Sequence, residues 1–266
     1  MAKKKYEEAN IQAIAETIRS KTVTEKTYDT SEMADGVNEV YEAGRTKEWS
    51  DFWDAFQQNG ERTSYQYAFS NAWNSKAFKP KYDIKPIDGS YMFYNFRMDG
   101  DVKALLEDCG VVLDTSNATY MNYAFNNAWD IKALPEISFE KCTYADARIQ
   151  GVFMGCYSLR RIDKVIYPTD IYRRTTNTFQ SCKTLSYLRI GGVIGNNFNV
   201  SWSPLDVESV KDVILHLKNY AGTDSEYAYT LALSSASKTL LEAEGATSPN
   251  GNTWSQYIDD LGWTLL

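Results

Sequence analysis

The chain has 266 residues, 43% apolar and 24% charged, a composition that excludes a disordered chain and suffices for one large core or two small ones. A formal net charge of −7 excludes the basic surface that a nucleic-acid partner requires, and the short Lys3-Lys4-Lys5 run does not reverse that. No stretch approaches the roughly 20 apolar residues that cross a bilayer. The N-terminus lacks the apolar core of a signal peptide, so the chain is expected to be made in a cytoplasm and not exported by the secretory route.

In chain order, Ile11, Ile14, Ala15 and Ile18 recur at helical spacing and predict an amphipathic helix over residues 6–20. Asp29 with Glu32 three residues later is a capping-box variant opening a second helix, whose Met33, Val37 and Val40 form a buried side before Gly44. Trp49, Phe52, Trp53 and Phe56 predict a third helix over 45–59, ended by Asn59-Gly60.

The next stretch is organised by repetition. Between Gly151 and Ile190, Phe153, Cys156, Ser158, Leu159 and Ile162 are echoed at the same offsets by Phe179, Cys182, Thr184, Leu185 and Leu188. Upstream, Tyr67-Ala68-Phe69-Ser70-Asn71-Ala72-Trp73 is echoed by Tyr123-Ala124-Phe125-Asn126-Asn127-Ala128-Trp129, with Met92-Phe93-Tyr94-Asn95-Phe96 between them. The anchoring residues Phe69, Phe93, Phe125, Phe153 and Phe179 are spaced by 24, 32, 28 and 26 residues, in the range of stacked supersecondary units. The ninth residue after each Phe is apolar: Phe78, Val102, Leu134, Ile162 and Leu188. One such unit cannot bury its apolar face alone, so the five are expected to stack and bury it for one another. The longest step holds Val102, Leu105 and Leu106, an enlarged helical segment. Gly191, Gly192 and Gly195 predict a loop after the last strand, without the spacing of a phosphate cradle.

Beyond Ser203, Val210, Val213, Ile214 and Leu217 form a helical face with Asp206 placed to cap it. Tyr227, Tyr229, Leu231 and Leu233 alternate as a strand, Thr239–Glu244 reads as a helix stopped by Gly245, and Gly262–Leu266 as a final strand. Cys109, Cys142, Cys156 and Cys182 lack metal-ligand or redox-motif spacing and are expected as four thiols, two of them in the core.

The FxxCxSLxxI pattern, with LxxLxI in its second copy, resembles the BspA-type leucine-rich repeats of bacterial surfaces and prophages. In that family each unit is a short helical turn followed by a strand. IQAIAETIRSKT and TSEMADGVNEV resemble the N-terminal segment of prophage tail-associated proteins, and SPLDVESV, YTLAL and GWTL resemble the C-terminal end of phage-encoded BspA-like proteins. The resemblance implies an α/β fold: a helical hairpin attachment module over 1–44, a leucine-rich-repeat solenoid with an N-terminal capping helix over 45–195, and an α+β capping region over 196–266. It implies a virion protein that docks to other particle components through residues 1–44 and presents its repeats for adhesion to a host-surface glycan or protein, or for assembly. By analogy with tail fibres a homo-oligomer is expected, a trimer among the options. A bacterial cell-surface adhesin and a general protein-interaction solenoid are the alternatives.

No catalytic residue, metal or cofactor is expected. The single histidine, His216, cannot make a Ser-His-Asp or polyhistidine zinc site, and the SxxK of Ser235-Ala236-Ser237-Lys238 lacks its SDN and KTG companions. The acid pairs Asp99/Asp101 and Asp259/Asp260 read as solvated surface. Aromatic and Arg side chains are the usual binding anchors. The candidates are Tyr167, Tyr172, Arg173, Arg174 and Tyr187. Phe69, Phe93, Phe125, Phe153, Cys156, Leu159, Ile162, Phe179, Cys182, Leu185 and Leu188 are the expected repeat core.

Overall fold

A computed structural model describes residues 64–70, 80, 82–97, 102–143, 148–168, 177–223, 228–245 and 247–266, all within one compact unit. The helices expected over 6–20, 29–44 and 45–59, together with Trp73, Phe78, Tyr172, Arg173, Arg174 and Tyr227, lie outside the described residues.

Each anchoring Phe sits between two tight turns, where the resemblance implied a helical turn. Around Phe93, the N–H of Met92 donates to the Gly89 carbonyl, that of Tyr94 to Tyr91 and that of Phe96 to Phe93. The intervening N–H groups of Tyr91, Phe93 and Asn95 donate instead to the next unit, at the carbonyls of Asn122, Ala124 and Asn126. Phe125 repeats the arrangement toward Gln150, Val152 and Met154. Alternate amides therefore close the turn and bind the neighbour, which leaves the buried backbone satisfied without a regular strand. A helix is ruled out by the described residues two before and two after the Phe anchors, which adopt φ of +53° to +77° at Tyr67, Tyr91, Asn95, Tyr123, Asn127, Gly151, Gly155, Asn177 and Ser181. Asn and Gly accept that left-handed conformation, whereas a tyrosine does so at a cost of about 1–2 kcal/mol.

Stacked this way, the rings meet in chain order. Centroid distances are 4.7 Å from Phe69 to Phe93, 5.1 Å from Phe93 to Phe125, 5.7 Å from Phe125 to Phe153 and 5.4 Å from Phe153 to Phe179. A sixth ring, Phe198, which the sequence pattern did not include, lies 5.6 Å from Phe179. All six are buried. Cys156 and Cys182 fill the space three residues on, their thiols donating to the carbonyls of Phe125 and Phe153 in the preceding unit, each at 3.0 Å.

After each pair of turns the chain runs into helix α1 (Val102–Asp108) or into strands β1 (Ala133–Ser138), β2 (Arg161–Tyr167) and β3 (Tyr187–Gly192). The strands pair in parallel in the order β1-β2-β3, and Leu134, Ile162 and Leu188, the ninth residues after their Phe, stand in register. Leu159 and Leu185 are buried just before them. The glycines expected to form a loop require correction: Gly191 and Gly192 are the last residues of β3, paired with Ile166 and Tyr167, and only Gly195 lies beyond it. A β-carbon on Gly192 would stand 2.0 Å from the Tyr167 carbonyl oxygen, so a glycine is what permits that close approach.

β3 would leave an open sheet edge. Helix α2 (Val207–Leu215) covers it, capped by Asp206, whose carboxylate accepts from the Ser209 N–H. The Ser209 hydroxyl and the Asp212 carboxylate accept the N–H groups of Leu188 and Ile190 at 3.0 and 2.6 Å, as a further strand would do. Removing both acceptors, Ser209→Ala with Asp212→Ala, leaves two strand donors unpartnered and should destabilise by about 1–3 kcal/mol for each donor left buried, read in chemical denaturation.

The remainder is a second parallel sheet, β4 (Phe198–Val200), β5 (Tyr229–Leu233) and β6 (Trp263–Leu265), whose crossovers carry α2, α3 (Ser235–Ala243) and α4 (Trp254–Asp260). α3 begins four residues earlier than the periodicity indicated, because Ser234 caps it by accepting from the Ser237 N–H.

Burial pushes the Cys142 and Cys156 thiols up to about 12 and raises that of Cys182 well above its ordinary range. The reactive species is the thiolate. A thiol reagent at pH 8 should therefore modify half-buried Cys109 first, and Cys142, Cys156 and Cys182 only on unfolding; labelling followed by peptide mass spectrometry reads the order.

Candidate functional site

Of the five residues chosen from sequence as binding anchors, Tyr167 and Tyr187 are among the described residues. Tyr167 requires correction: it is 2% exposed, packed between Phe139 and Phe198, its hydroxyl without a partner. The register shift between Ile162 and Val165 changes the alternation of β2, and Val165 and Tyr167 then both point inward. Burial pushes its phenol upward. Tyr187 is half-buried on the outer face of the first sheet, with the Arg161 and Arg189 guanidinium groups 3.8 and 4.3 Å from its ring centre. That face satisfies itself. Lys103 and Arg161 both bind Asp163; burial works to raise its carboxyl pKa, and those two cationic partners outweigh it and hold the group below the usual carboxylate value.

Asp260 accepts hydrogen bonds from Gln256, Asn252 and Asn250, which hold its carboxyl low, the wrong direction for a general acid. Ser235 is exposed on the first turn of α3. Among the described residues no group of three or more His, Cys, Asp or Glu is placed to hold a metal, and no helix is long and apolar enough to cross a membrane.

A different set of side chains is brought together by the turns. The residue four after Phe93, Phe125, Phe153 and Phe179 is Arg97, Trp129, Tyr157 and Lys183 and, after Phe198, Trp202. At Phe93, Phe125, Phe153 and Phe179 the buried Phe and the buried residue three after it fix the neighbouring position outward, so one such side chain emerges per rung along a single edge. The contacts run in order. The Arg97 guanidinium lies 4.1 Å from the Trp129 ring, Trp129 lies 6.2 Å from Tyr157 at 67°, and the Lys183 ammonium lies 5.8 Å from Tyr157 and 6.0 Å from Trp202. Trp129, Tyr157 and Trp202 are 39%, 43% and 47% exposed. Large aromatic rings kept in water in a row are the kind of surface a partner covers.

Two further cations flank the row. Lys132 and Arg160, both exposed, occupy successive rungs seven residues after their Phe, the Arg160 N–H donating to the Lys132 carbonyl at 2.8 Å. No protein-family model, curated protein or solved structure matches this chain.

A second aromatic stack stands two residues before the Phe positions. Tyr67, Tyr91 and Tyr123 stack at 4.7 and 5.1 Å, and the Tyr123 ring comes to rest over Gly151, where a β-carbon would stand 2.7 Å from it. Burial, and then the neighbouring tyrosines, push the Tyr91 phenol up. Stacking of about 0.5–1.5 kcal/mol per pair offsets much of the left-handed backbone cost of these residues. This stack is therefore chiefly structural, and the row of Arg97 to Trp202 is the candidate binding edge.

Proposed function

We propose that the chain is a non-enzymatic binding protein of a phage or phage-derived particle, built as a leucine-rich-repeat stack of the BspA type that displays an adhesive edge. The observation that carries the reading is the row of Arg97, Trp129, Tyr157, Lys183 and Trp202, one side chain per rung and in contact from rung to rung. A ladder of buried Phe rings holds the backbone beneath it at fixed spacing, so the aromatic side chains lose little freedom on binding, which favours affinity. The virion setting is supported by the resemblance of residues 1–44 and of the SPLDVESV, YTLAL and GWTL segments to phage-encoded proteins. Residues 1–44 would attach the chain to the particle and the repeats would face the host.

Two measurements test this. Antibodies raised against the purified chain should decorate phage-like particles in negative stain, and the purified chain should bind bacterial cells in a pull-down that Trp129→Ala with Tyr157→Ala weakens without shifting the melting temperature. Absence of both decoration and cell binding overturns the reading.

A further inference from the structure

Resting on that reading, we infer that Tyr157, Lys183 and Trp202 form a binding site for an extended, neutral, β-linked glycan, with every second sugar stacked on a ring. These three residues stand on successive rungs, those of Phe153, Phe179 and Phe198, whose rings follow one another at 5.4 and 5.6 Å. The two aromatic side chains are therefore two rungs apart. They are 43% and 47% exposed, and the Lys183 ammonium lies between them, 5.8 Å from the Tyr157 ring and 6.0 Å from that of Trp202. Trp129 is left outside the site because the Arg97 guanidinium lies over its ring at 4.1 Å. The backbone beneath the site is pinned. The Thr184 hydroxyl donates to the carbonyls of Tyr157 and Leu159 at 2.8 and 2.9 Å, joining two rungs beside Lys183. The Ser203 N–H donates to the Val200 carbonyl at 2.9 Å and closes the turn that carries Trp202. Rings on a backbone already fixed lose little freedom when a ligand covers them.

Shape selects the ligand. Parallel neighbours stack about 4.8 Å apart, close to the rise of one sugar in a straight β-linked chain such as cellulose or chitin. Such a chain turns over at each linkage, so every second sugar shows the same C–H face. Two rings set two rungs apart meet two such faces, and the sugar between them lies over Lys183, whose ammonium has protons to donate to its hydroxyls. An α-linked chain of the starch type coils instead, and carries its later sugars off the line after the first ring. Charge supports the neutral form: a net charge of −7 opposes a polyanion at a distance, and the Lys183 ammonium is already set against two ring faces. A folded protein is disfavoured because its anchors gather in one compact cluster inside a polar ring.

The test is affinity electrophoresis of the full chain through gels containing hydroxyethylcellulose or glycol chitin, with soluble starch as the α-linked polymer and carboxymethylcellulose as the acidic one. Retardation by at least one of the first two is expected, insensitive to salt, with none by starch. Tyr157→Ala and Trp202→Ala should each weaken it roughly tenfold, the loss that truncating an aromatic anchor brings. Lys183→Gln should keep most of it, since the amide still donates to hydroxyls. Unchanged melting temperatures show that these exposed substitutions leave the fold intact. Starch retarding the chain as strongly as the β-linked polymers, retardation by carboxymethylcellulose alone, or binding that survives either ring substitution unweakened overturns the inference. A loss at Lys183→Gln as large as at the rings marks recognition by charge and overturns it too. So does the absence of retardation by every polymer. If the chain then still binds cells, the adhesive function stands and only the ligand class falls; if it binds neither, both fall.

Discussion

Replacing Phe153 by Ala will cost about 3–5 kcal/mol of stability, the price of removing a fully buried aromatic ring and leaving a cavity behind. The ring is 0% exposed and touches Phe125 on one side, Phe179 on the other and Phe139 beside it. Because both neighbours are themselves held by backbone hydrogen bonds of the turns, they cannot slide together to fill the gap. Tyr157→Ala, four residues along on the exposed edge, should change stability by no more than about 0.5 kcal/mol. Urea denaturation of the two variants gives the comparison. A loss below about 1 kcal/mol for Phe153→Ala would mean the rings do not share one interior.

Gly192→Ala is the second large effect, and its cause is backbone rather than side chain. The residue has φ of +74°, and the added methyl group would meet the Tyr167 carbonyl oxygen at 2.0 Å. Left-handed strain of about 1–2 kcal/mol adds to overpacking of about 1–3 kcal/mol, and the atom in the way is backbone, which cannot rotate aside. Gly222→Ala separates the two contributions. It has φ of +69° with nothing within 4 Å of the new β-carbon, so it should lose only the first. Thermal melts of both variants should place Gly192→Ala well below Gly222→Ala; equal losses would remove the close approach as the reason for the glycine.

The Phe ladder was legible because its members are identical and their offsets recur, and the segment of Val102, Leu105 and Leu106 was legible as α1 by its helical spacing. The proposed binding edge is equally regular in position, four residues after Phe93, Phe125, Phe153, Phe179 and Phe198, yet it was missed. Its members are Arg, Trp, Tyr, Lys and Trp, and a pattern sought by residue likeness does not register a position whose only common property is facing water. Tyr167 was misplaced for the opposite reason. Its type suggested a binding anchor, and only the irregularity inside β2 reveals that it faces the core. The helix α4 had a readable signal, Thr253 followed three residues later by Gln256, and the Thr253 hydroxyl does accept from the Gln256 N–H. β4, three residues long, is too short for alternation to declare itself.

The amides of Tyr91, Phe93, Tyr123, Phe125 and Phe153 all point forward along the chain, each toward a later rung, so the stack has a polarity. At the end of the first sheet that polarity is terminated by Ser209 and Asp212, two oxygen atoms standing in for the missing carbonyls. Addition of a further strand to the first sheet at that edge is blocked. Duplicating a whole rung internally, between Phe125 and Phe179 for example, would lengthen the outward row by one side chain without disturbing the α2 edge.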